Sequence, residues 1–439
     1  MIQPERQPLE RLLSPHEVFP VLDEPGDGDP TWLHANGWRL FASPRFDGDT
    51  TGEAFESFTL PGGRVVEARL DDASRGVRVP FSLSEAHDNF VSERWRAGFP
   101  QRGLSGDKLS VYYRVKRFIP RRVQLSARRL LIRRQGLPEF PAWPLEESFD
   151  RLLRFYTRCL LLAGGKRERS FDWVWPAPYR AAVILTHDVE SAEGLRLAIE
   201  LADLEQERGL RSSFNIVARW YRIDEGILSE LRERGFELGV HGVYHDRSMF
   251  SSRDAFESQL SIVREFATRI GAAGFRSPAT HRVSEWLADL PVDYDCSVPH
   301  SDPFEPVPGG CCSLWPFFLG EVVELPYTLP QDHTLFTLLG ERSSSVWQKQ
   351  LDGIERLNGL VEVLTHPDPG YLGDRSKRAL YAQFLDVLCE RPGLWKPLPR
   401  EAAQWWRQRD ARAPGAWPIG SGRASVDESG AITLEPHAA

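Results

Sequence analysis

From about residue 181 to residue 390, short apolar segments alternate with stretches of helical periodicity. The apolar segments are AAVIL, SFNIV, FELGV, GFRS, DYDCSV, VVELP and VEVLT. The helical stretches are residues 192–209, 226–235, 253–270, 345–358 and 375–390. Because strands that alternate with helices form parallel sheets, about seven such units predict an α/β fold, a (β/α)7 barrel that is closed or nearly closed.

The first 110 residues have a different pattern. Short alternating runs such as GRVVEARL and GVRVPFSL, broken by Gly, Asp and Pro, predict strands and hairpins. GLPEFPAWPLE, residues 136–146, contains three prolines and predicts a linker or strap. A helix predicted from about Ser148 to Ala163 could belong to either side of it. We therefore predict an N-terminal, partly β accessory module at 1–150, the barrel at 151–410 and a C-terminal tail at 411–439.

Residues 114–134 contain nine basic and no acidic residues. Apolar residues recur every four positions from Ile119 to Leu131, and Pro120 suits a first helical turn, so a basic helix is predicted near 120–134. One interpretation is peripheral docking to an anionic lipid or polymer surface. The other is a solvated helix face, or one that packs on an acidic neighbour.

The composition narrows the class of protein. The balance of 54 basic to 62 acidic residues, a net charge of -8, gives no reason to expect nucleic acid as a partner. No apolar run approaches the roughly 18 residues of a membrane span, and the N-terminus lacks a signal-peptide pattern, so a cytoplasmic protein is expected. Five cysteines without a C-x-x-C pair indicate reduced thiols.

Polar side chains follow four of the predicted strands. They are Asp188 and Glu190 in THDVE, His241 and His245 in HGVYH, Arg276 in GFRSPAT, and His366 in VLTHPD. In barrels of this kind the carboxyl ends of the strands meet at one rim, where catalytic residues lie. The sequence therefore predicts that these side chains converge on one site.

The types of these residues suggest metal chemistry. Two histidines four apart lie side by side if the segment is helical, and two histidines with one carboxylate are a standard zinc set that leaves a position open. In H-E-x-x-H a glutamate follows the first histidine as general base, but Gly242 stands there. Of the two carboxylates Asp188 and Glu190, one would bind the metal and the other would accept the proton of a water.

Each motif alone also has a structural interpretation. The histidine pair could be ordinary helix residues, and Asp188 with Glu190 could form a helix N-cap region, since a helix is predicted near Ser191. Arg276 could form a structural ion pair, and His366 could be a loop residue. Only their joint placement at strand ends favours a site.

At these residues a family resemblance appears. THDVE, HGVYH, FRSPAT and VLTHPD resemble, in order, the motifs of the polysaccharide deacetylases, carbohydrate esterase family four with its NodB-homology domain, over roughly residues 176–400. The resemblance implies a distorted barrel of about seven strands and a bound divalent metal, most simply zinc. By this resemblance Asp188 is the catalytic base, Arg276 supports the base and His366 is the catalytic acid. The three metal ligands that it implies are Glu190, His241 and His245.

Two positions depart from the family pattern. The common first motif has adjacent aspartates, whereas Val189 follows Asp188 here, and a spaced variant of the motif makes Glu190 the third ligand. The usual tyrosine of the arginine motif is Ala279, so only the backbone N–H of that residue could serve an oxyanion.

The reaction implied is hydrolysis of an N-acetyl group, or of an O-acetyl group, on an oligo- or polysaccharide. Hydrolysis of a non-sugar amide or ureide is the alternative among enzymes, and a carbohydrate-binding or scaffold barrel is the alternative without turnover. Residues 293–336 form a long segment rich in Pro, Gly and aromatics, which predicts rim loops that shape substrate entry. Its candidates for sugar contact, or for ordinary rim packing, are Trp315, Phe317, Tyr327 and Asp332.

Overall fold

The computed structural model describes residues 8–17, 21–22, 24–46, 52–71, 76–98, 128–130, 132, 134 and 136–437. Most of the predicted basic helix therefore lies outside the described residues. At its described end, the guanidinium groups of Arg128 and Arg129 donate hydrogen bonds to the backbone carbonyls of Phe304 and Thr337. These contacts favour packing on the barrel for this end, while docking of residues 114–134 to an anionic surface stays a prediction.

The N-terminal region is built around a mixed sheet. Its elements are α1 (Pro8–Leu13), β1 (Val21–Leu22), β2 (Thr31–Ala35), β3 (Trp38–Ala42), β4 (Ala54–Thr59), β5 (Val65–Asp71), β6 (Gly76–Arg78) and α2 (Leu83–Val91). Among the described residues the strand order is β1-β6-β5-β4-β2-β3. Helix α3 (Ser148–Ala163) covers this sheet, because Phe155 packs against Phe58 and Phe81.

After α3, strands alternate with helices over most of the barrel region. Strand β7 (Glu168–Pro176) lies outside the barrel sheet. The strands of the barrel sheet are β8 (Ala181–Val189), β9 (Ser213–Ile216), β10 (Glu237–Val240), β11 (Gly274–Phe275), β12 (Tyr294–Asp295), β13 (Phe317–Leu319), β14 (Val322–Glu324), β15 (Leu360–Thr365) and β16 (Leu394–Trp395). The helices are α4 (Ala192–Gln206), α5 (Glu225–Glu233), α6 (Arg253–Ile270), α7 (Ser284–Leu287), α8 (Ser345–Arg356), α9 (Arg375–Cys389) and α10 (Pro399–Ala411).

The barrel sheet is parallel except at one strand. Within the described part of the chain its order is β13-β14-β12-β11-β10-β9-β8-β15, with β16 also on β8 and β13 antiparallel to β14. Segment 328–329 approaches β15, where the Leu329 N–H donates to the Glu362 carbonyl at 3.1 Å. All nine residues of β8 are buried, as expected for a parallel strand covered on both faces. The fold is α/β, and its curled sheet is compatible with the predicted distorted barrel.

Local sequence explains where the helices begin and end. Ser191 and Ser252 cap α4 and α6 through their hydroxyl groups, each of which accepts a backbone N–H three residues later. Gly271 ends α6 in the left-handed conformation. Serine before a helix and glycine after it are residue types that indicate helix ends in a sequence. The predicted helix at 253–270 is confirmed, with the same first and last residues.

The C-terminal residues form a hairpin, β17 (Ile419–Val426) and β18 (Ile432–Pro436), which pairs with β7 through β17. Residues 419–436 of the predicted tail therefore extend a sheet. No helix in the described ranges has the length and apolar character needed to cross a membrane.

Candidate metal centre

The first part of the site is a row of residues across three neighbouring strands. Asp188 on β8 pairs in register with Asn215 on β9, and Asn215 pairs with Gly239 on β10. The Asn215 amide donates a 2.8 Å hydrogen bond to Oδ1 of Asp188. A Cβ at position 239 would lie 2.1 Å from the Asn215 side chain, so glycine makes room for this amide. Sequence analysis missed Asn215, whose signal is a lone amide in the apolar run SFNIV.

HGVYH is a loop after β10, so the two histidines are not brought side by side by helical spacing. The loop turns at Gly242, whose φ of +68° is favourable only for glycine. A Cβ there would also lie 2.7 Å from Cδ of Pro278 in the arginine motif. The turn still brings the two histidine rings together, with centroids 5.4 Å apart. Gly242 therefore replaces the glutamate of H-E-x-x-H for a steric reason.

We expect Gly242→Ala to destabilise the fold by more than the roughly 1–2 kcal/mol of a left-handed alanine, because the methyl group also collides with Pro278. Denaturant midpoints and metal content measure the effect.

Gly209→Ala is a matched control. Gly209 has the same φ of +68°, but no atom lies within 4 Å of its would-be Cβ. Equal losses in the two variants would contradict the collision argument.

Three side chains meet beside this loop in an arrangement that fits a metal ion. One ligand atom from each of Glu190, His241 and His245 can be chosen so that all three lie within 4.8 Å of one another. The Nδ1–H of His241 donates to the Arg276 carbonyl at 3.1 Å, and its buried Nε2 has no hydrogen-bond partner among the described residues. A backbone carbonyl that holds one imidazole nitrogen and leaves the other free is the usual support of a metal-binding histidine.

The charges of the cluster also suit a cation. Burial lowers the pKa of His241 to about 4, so this imidazole is neutral at pH 7 and can act as a ligand. Burial alone would raise the pKa of Glu190, but contacts with His245 and His366 outweigh it and lower that pKa well below its usual range. Oε1 of Glu190 lies 2.9 Å from Nε2 of His245, but the two atoms do not have the geometry of a hydrogen bond. The residues present therefore fit a divalent metal.

His366 lies at the edge of the cluster, with Nε2 3.7 Å from Oε1 of Glu190. Its Nδ1 donates a 2.7 Å hydrogen bond to buried Asp332, which also accepts the His366 backbone N–H. Burial opposes the charged imidazole, but Asp332 outweighs it and raises the pKa of His366 to about 10. Asp332 was considered only as a sugar contact in the sequence, since nothing local links it to a histidine 34 residues away.

Arg276 lies fully buried below the rim. Its guanidinium donates to Glu362 and, at 3.0 Å, to the Thr186 hydroxyl. The carboxylate it contacts directly is therefore Glu362, whereas the hydrogen-bond partner of Asp188 is Asn215. Burial raises the pKa of Asp188, but the charges of His241, Arg276 and His366 outweigh it, so the net pKa is lowered. Arg276 thus helps to keep Asp188 ionised through its charge, without direct contact.

The aromatic side chains exposed at the rim are not those suggested by the sequence. Trp315, Phe317 and Tyr327 are buried. Of the five large apolar side chains that are exposed within the described ranges, Tyr244, 38% exposed, belongs to the histidine loop, and Trp220, 51% exposed, lies beside it. The Trp220 ring lies 6.1 Å from that of His245. Their signal in the sequence is weak, because position relative to the metal cluster is a tertiary property.

No family model and no curated protein matches this sequence. Among solved structures, one similar chain is a protein from Mycobacterium smegmatis assigned as a polysaccharide deacetylase, with 17% identity, 56% of this chain and 96% of that chain covered, and a TM-score of 0.45. A peptidoglycan deacetylase from Bacillus subtilis has 12% identity, coverage of 53% and 94%, and a TM-score of 0.35.

An allantoinase is also similar, with 13% identity, coverage of 54% and 93%, and a TM-score of 0.39. Similarities at these identities and TM-scores do not identify an activity. The four motifs that resemble those of the polysaccharide deacetylases follow one another along this α/β fold, and His241, Arg276 and His366 lie near Asp188.

Proposed function

We propose that the protein is a metal-dependent hydrolase that removes N-acetyl groups from a saccharide. The observation that carries this proposal is the arrangement around the Glu190, His241 and His245 cluster. Asp188, with Oδ2 3.8 Å from Nδ1 of His241, borders it, and so does His366. A three-residue ligand set with a carboxylate and an imidazole beside it is what amide hydrolysis by a metal site needs.

A divalent ion such as zinc, held by Glu190, His241 and His245, would supply a Lewis acid that polarises the acetyl carbonyl and acidifies a water. The base is Asp188, since Asn215 holds Oδ1 and leaves Oδ2 to accept the proton of the attacking water. The backbone N–H of Ala279 is the proposed oxyanion donor.

His366 is the proposed acid. Asp332 fixes its Nδ1–H, which leaves Nε2 to face the cluster and to protonate the departing amine. Without that proton the amine would leave as an unstable anion. The products are acetate and a free amino sugar, and an O-acetyl ester would pass through the same type of tetrahedral intermediate.

The exposed aromatics favour a saccharide over a compact ureide. Trp220 is held beside His245 because the Arg219 N–H donates to the Val243 carbonyl at 2.8 Å and the Tyr221 hydroxyl donates to the Val189 carbonyl at 2.9 Å. The indole is fixed, half exposed and next to His245, one of the three candidate metal ligands. It therefore offers an apolar face to the C–H face of a sugar ring. A small polar ureide needs no such surface.

The test is release of acetate from N-acetylated oligosaccharides by zinc-loaded protein, with an O-acetylated saccharide and a cyclic ureide as parallel substrates. Acetate release from the N-acetylated substrate is the expected result. Turnover of the ureide alone would favour the non-sugar amidase. Saccharide binding without turnover of any substrate, by protein with a full equivalent of zinc, would favour the binding barrel.

We expect Trp220→Ala to raise KM for an N-acetylated oligosaccharide about tenfold, equivalent to about 1.4 kcal/mol, while kcat changes little. The reason is that the stacking contact lies outside the reacting atoms and stabilises substrate and transition state alike. Steady-state kinetics on oligomers measure it. Val65→Ala, which truncates a 50% exposed residue of the N-terminal sheet, is the control. An unchanged KM in Trp220→Ala would remove the indole from the substrate site.

A further inference from the structure

A buried ion pair joins the N-terminal region to the loop of the arginine motif. Nε and Nη2 of Arg282 donate to the two carboxylate oxygens of Glu93, both at 2.6 Å. Both side chains are almost fully buried, at 1% and 3% exposure. Glu93 follows α2, and the two residues are 189 positions apart in the chain. Such a two-point carboxylate–guanidinium contact is directional as well as strong.

Arg282 also contacts two loops at the rim, residues 277–282 and 299–310. Its Nη1 donates to the Thr280 carbonyl at 3.0 Å and to the Val307 carbonyl at 3.2 Å. Trp95, two residues after Glu93, adds a 3.2 Å hydrogen bond from its indole to the Gly310 carbonyl. The segment that follows α2 therefore contacts both loops, residues 277–282 and 299–310.

The loop that Arg282 holds has a strained backbone. Ala279 and Thr280 both have φ of +49°, and Glu93 itself has φ of +57°. Non-glycine residues persist in this region only where the surroundings enforce it, and such residues cluster at functional sites. Next to them, Pro278 packs on Gly242 in the histidine loop. The strained segment therefore adjoins the cluster of Glu190, His241 and His245.

We propose that Glu93 is a positioning residue of the active site. Through Arg282 it holds segment 277–282 in the conformation that aims the Ala279 N–H at the reacting carbonyl. The N-terminal region is then part of the catalytic unit and not a separate accessory module. The catalytic half of this inference rests on the proposed function, whereas the coupling between Glu93 and the loop does not.

The test compares Glu93→Gln, which keeps the shape and removes the charge, with Glu56→Gln. Glu56 lies on β4 and pairs with Arg158 of α3 at 2.9 Å, so the control removes another ion pair of the N-terminal region, one that among the described residues joins β4 to α3 and not to a rim loop. Hydrogen exchange of peptides covering 277–282 is measured in the full-length, zinc-loaded protein without substrate. We expect at least tenfold faster exchange in Glu93→Gln, confined to the rim loops, and parent-like exchange in Glu56→Gln.

In kinetics on the N-acetylated oligosaccharide, we expect kcat of Glu93→Gln to fall about 10²-fold with zinc content retained and KM little changed, since misplacement by about 1 Å can cost that much. Unchanged exchange at 277–282, or equal acceleration throughout the protein, would overturn the coupling whatever the kinetics show. Localised acceleration without a loss of kcat greater than in Glu56→Gln would overturn the catalytic role.

Loss of one charge of a buried ion pair can unfold a protein. If Glu93→Gln unfolds, Glu93→Asp replaces it in the experiment. That variant keeps the charge but ends one methylene short of the guanidinium, and it is read by the same two measurements. Inactivity of the parent protein on every substrate would count against the proposed function alone, since the exchange measurement stands without turnover.

Discussion

His241→Ala and His245→Ala are each expected to lose the metal and, with it, nearly all turnover. Each substitution leaves two of the three side chains that approach within 4.8 Å, and two ligands do not make a closed zinc site. Loss of mere support for a ligand already costs about 10–100-fold in metal affinity, so loss of the ligand itself should cost at least that. Elemental analysis after dialysis against a dilute chelator measures the metal content.

His34→Ala is the control for this experiment, because His34 is exposed on β2 in the N-terminal sheet. It should retain one equivalent of metal. If His241→Ala and His245→Ala also retain one equivalent, the metal is bound elsewhere and the assignment of the site is wrong. A separate variant, Glu190→Gln, tests whether the carboxylate is the third ligand. The amide keeps the shape of the side chain but is a much weaker metal ligand, so metal content should fall.

Asp188→Asn and His366→Ala are expected to keep the metal and the fold but to lose about 10²–10⁴-fold in rate, the usual loss on removal of a general acid or base. This range corresponds to about 3–5 kcal/mol in the barrier. Asp332→Asn should give a smaller loss, because it removes the carboxylate partner of His366 but not the imidazole. Acetate release from an N-acetylated oligosaccharide measures all three variants.

The leaving group separates the acid from the base. The aryloxide of an activated aryl acetate can leave without a proton, so His366→Ala should lose much less activity on this ester than on the amide, whereas Asp188→Asn should lose activity on both substrates. A His366→Ala variant with near-parent acetate release from the amide would show that another group is the acid. Equal losses of His366→Ala on ester and amide would instead indicate a positioning role.

The sequence alone determined the alternation of strands and helices and the strand ends that deliver Asp188, His241 and His366. These features are local: a buried parallel strand reads as an apolar run, and the residue after it lies at the rim whatever surrounds it. The order of the four motifs was readable for the same reason. Even the replacement of glutamate by Gly242 was visible, although its cause was not.

Tertiary structure decided which side chains those residues touch. Gly242 between the two histidines leaves room for Pro278, a residue of another motif. Arg276 contacts Glu362 and not Asp188, because β15 presents its carboxylate to the guanidinium within the barrel. The Glu93–Arg282 pair joins positions 189 residues apart. A pattern of neighbours along the chain cannot encode such contacts, since they arise only when strands and loops distant in sequence pack against one another.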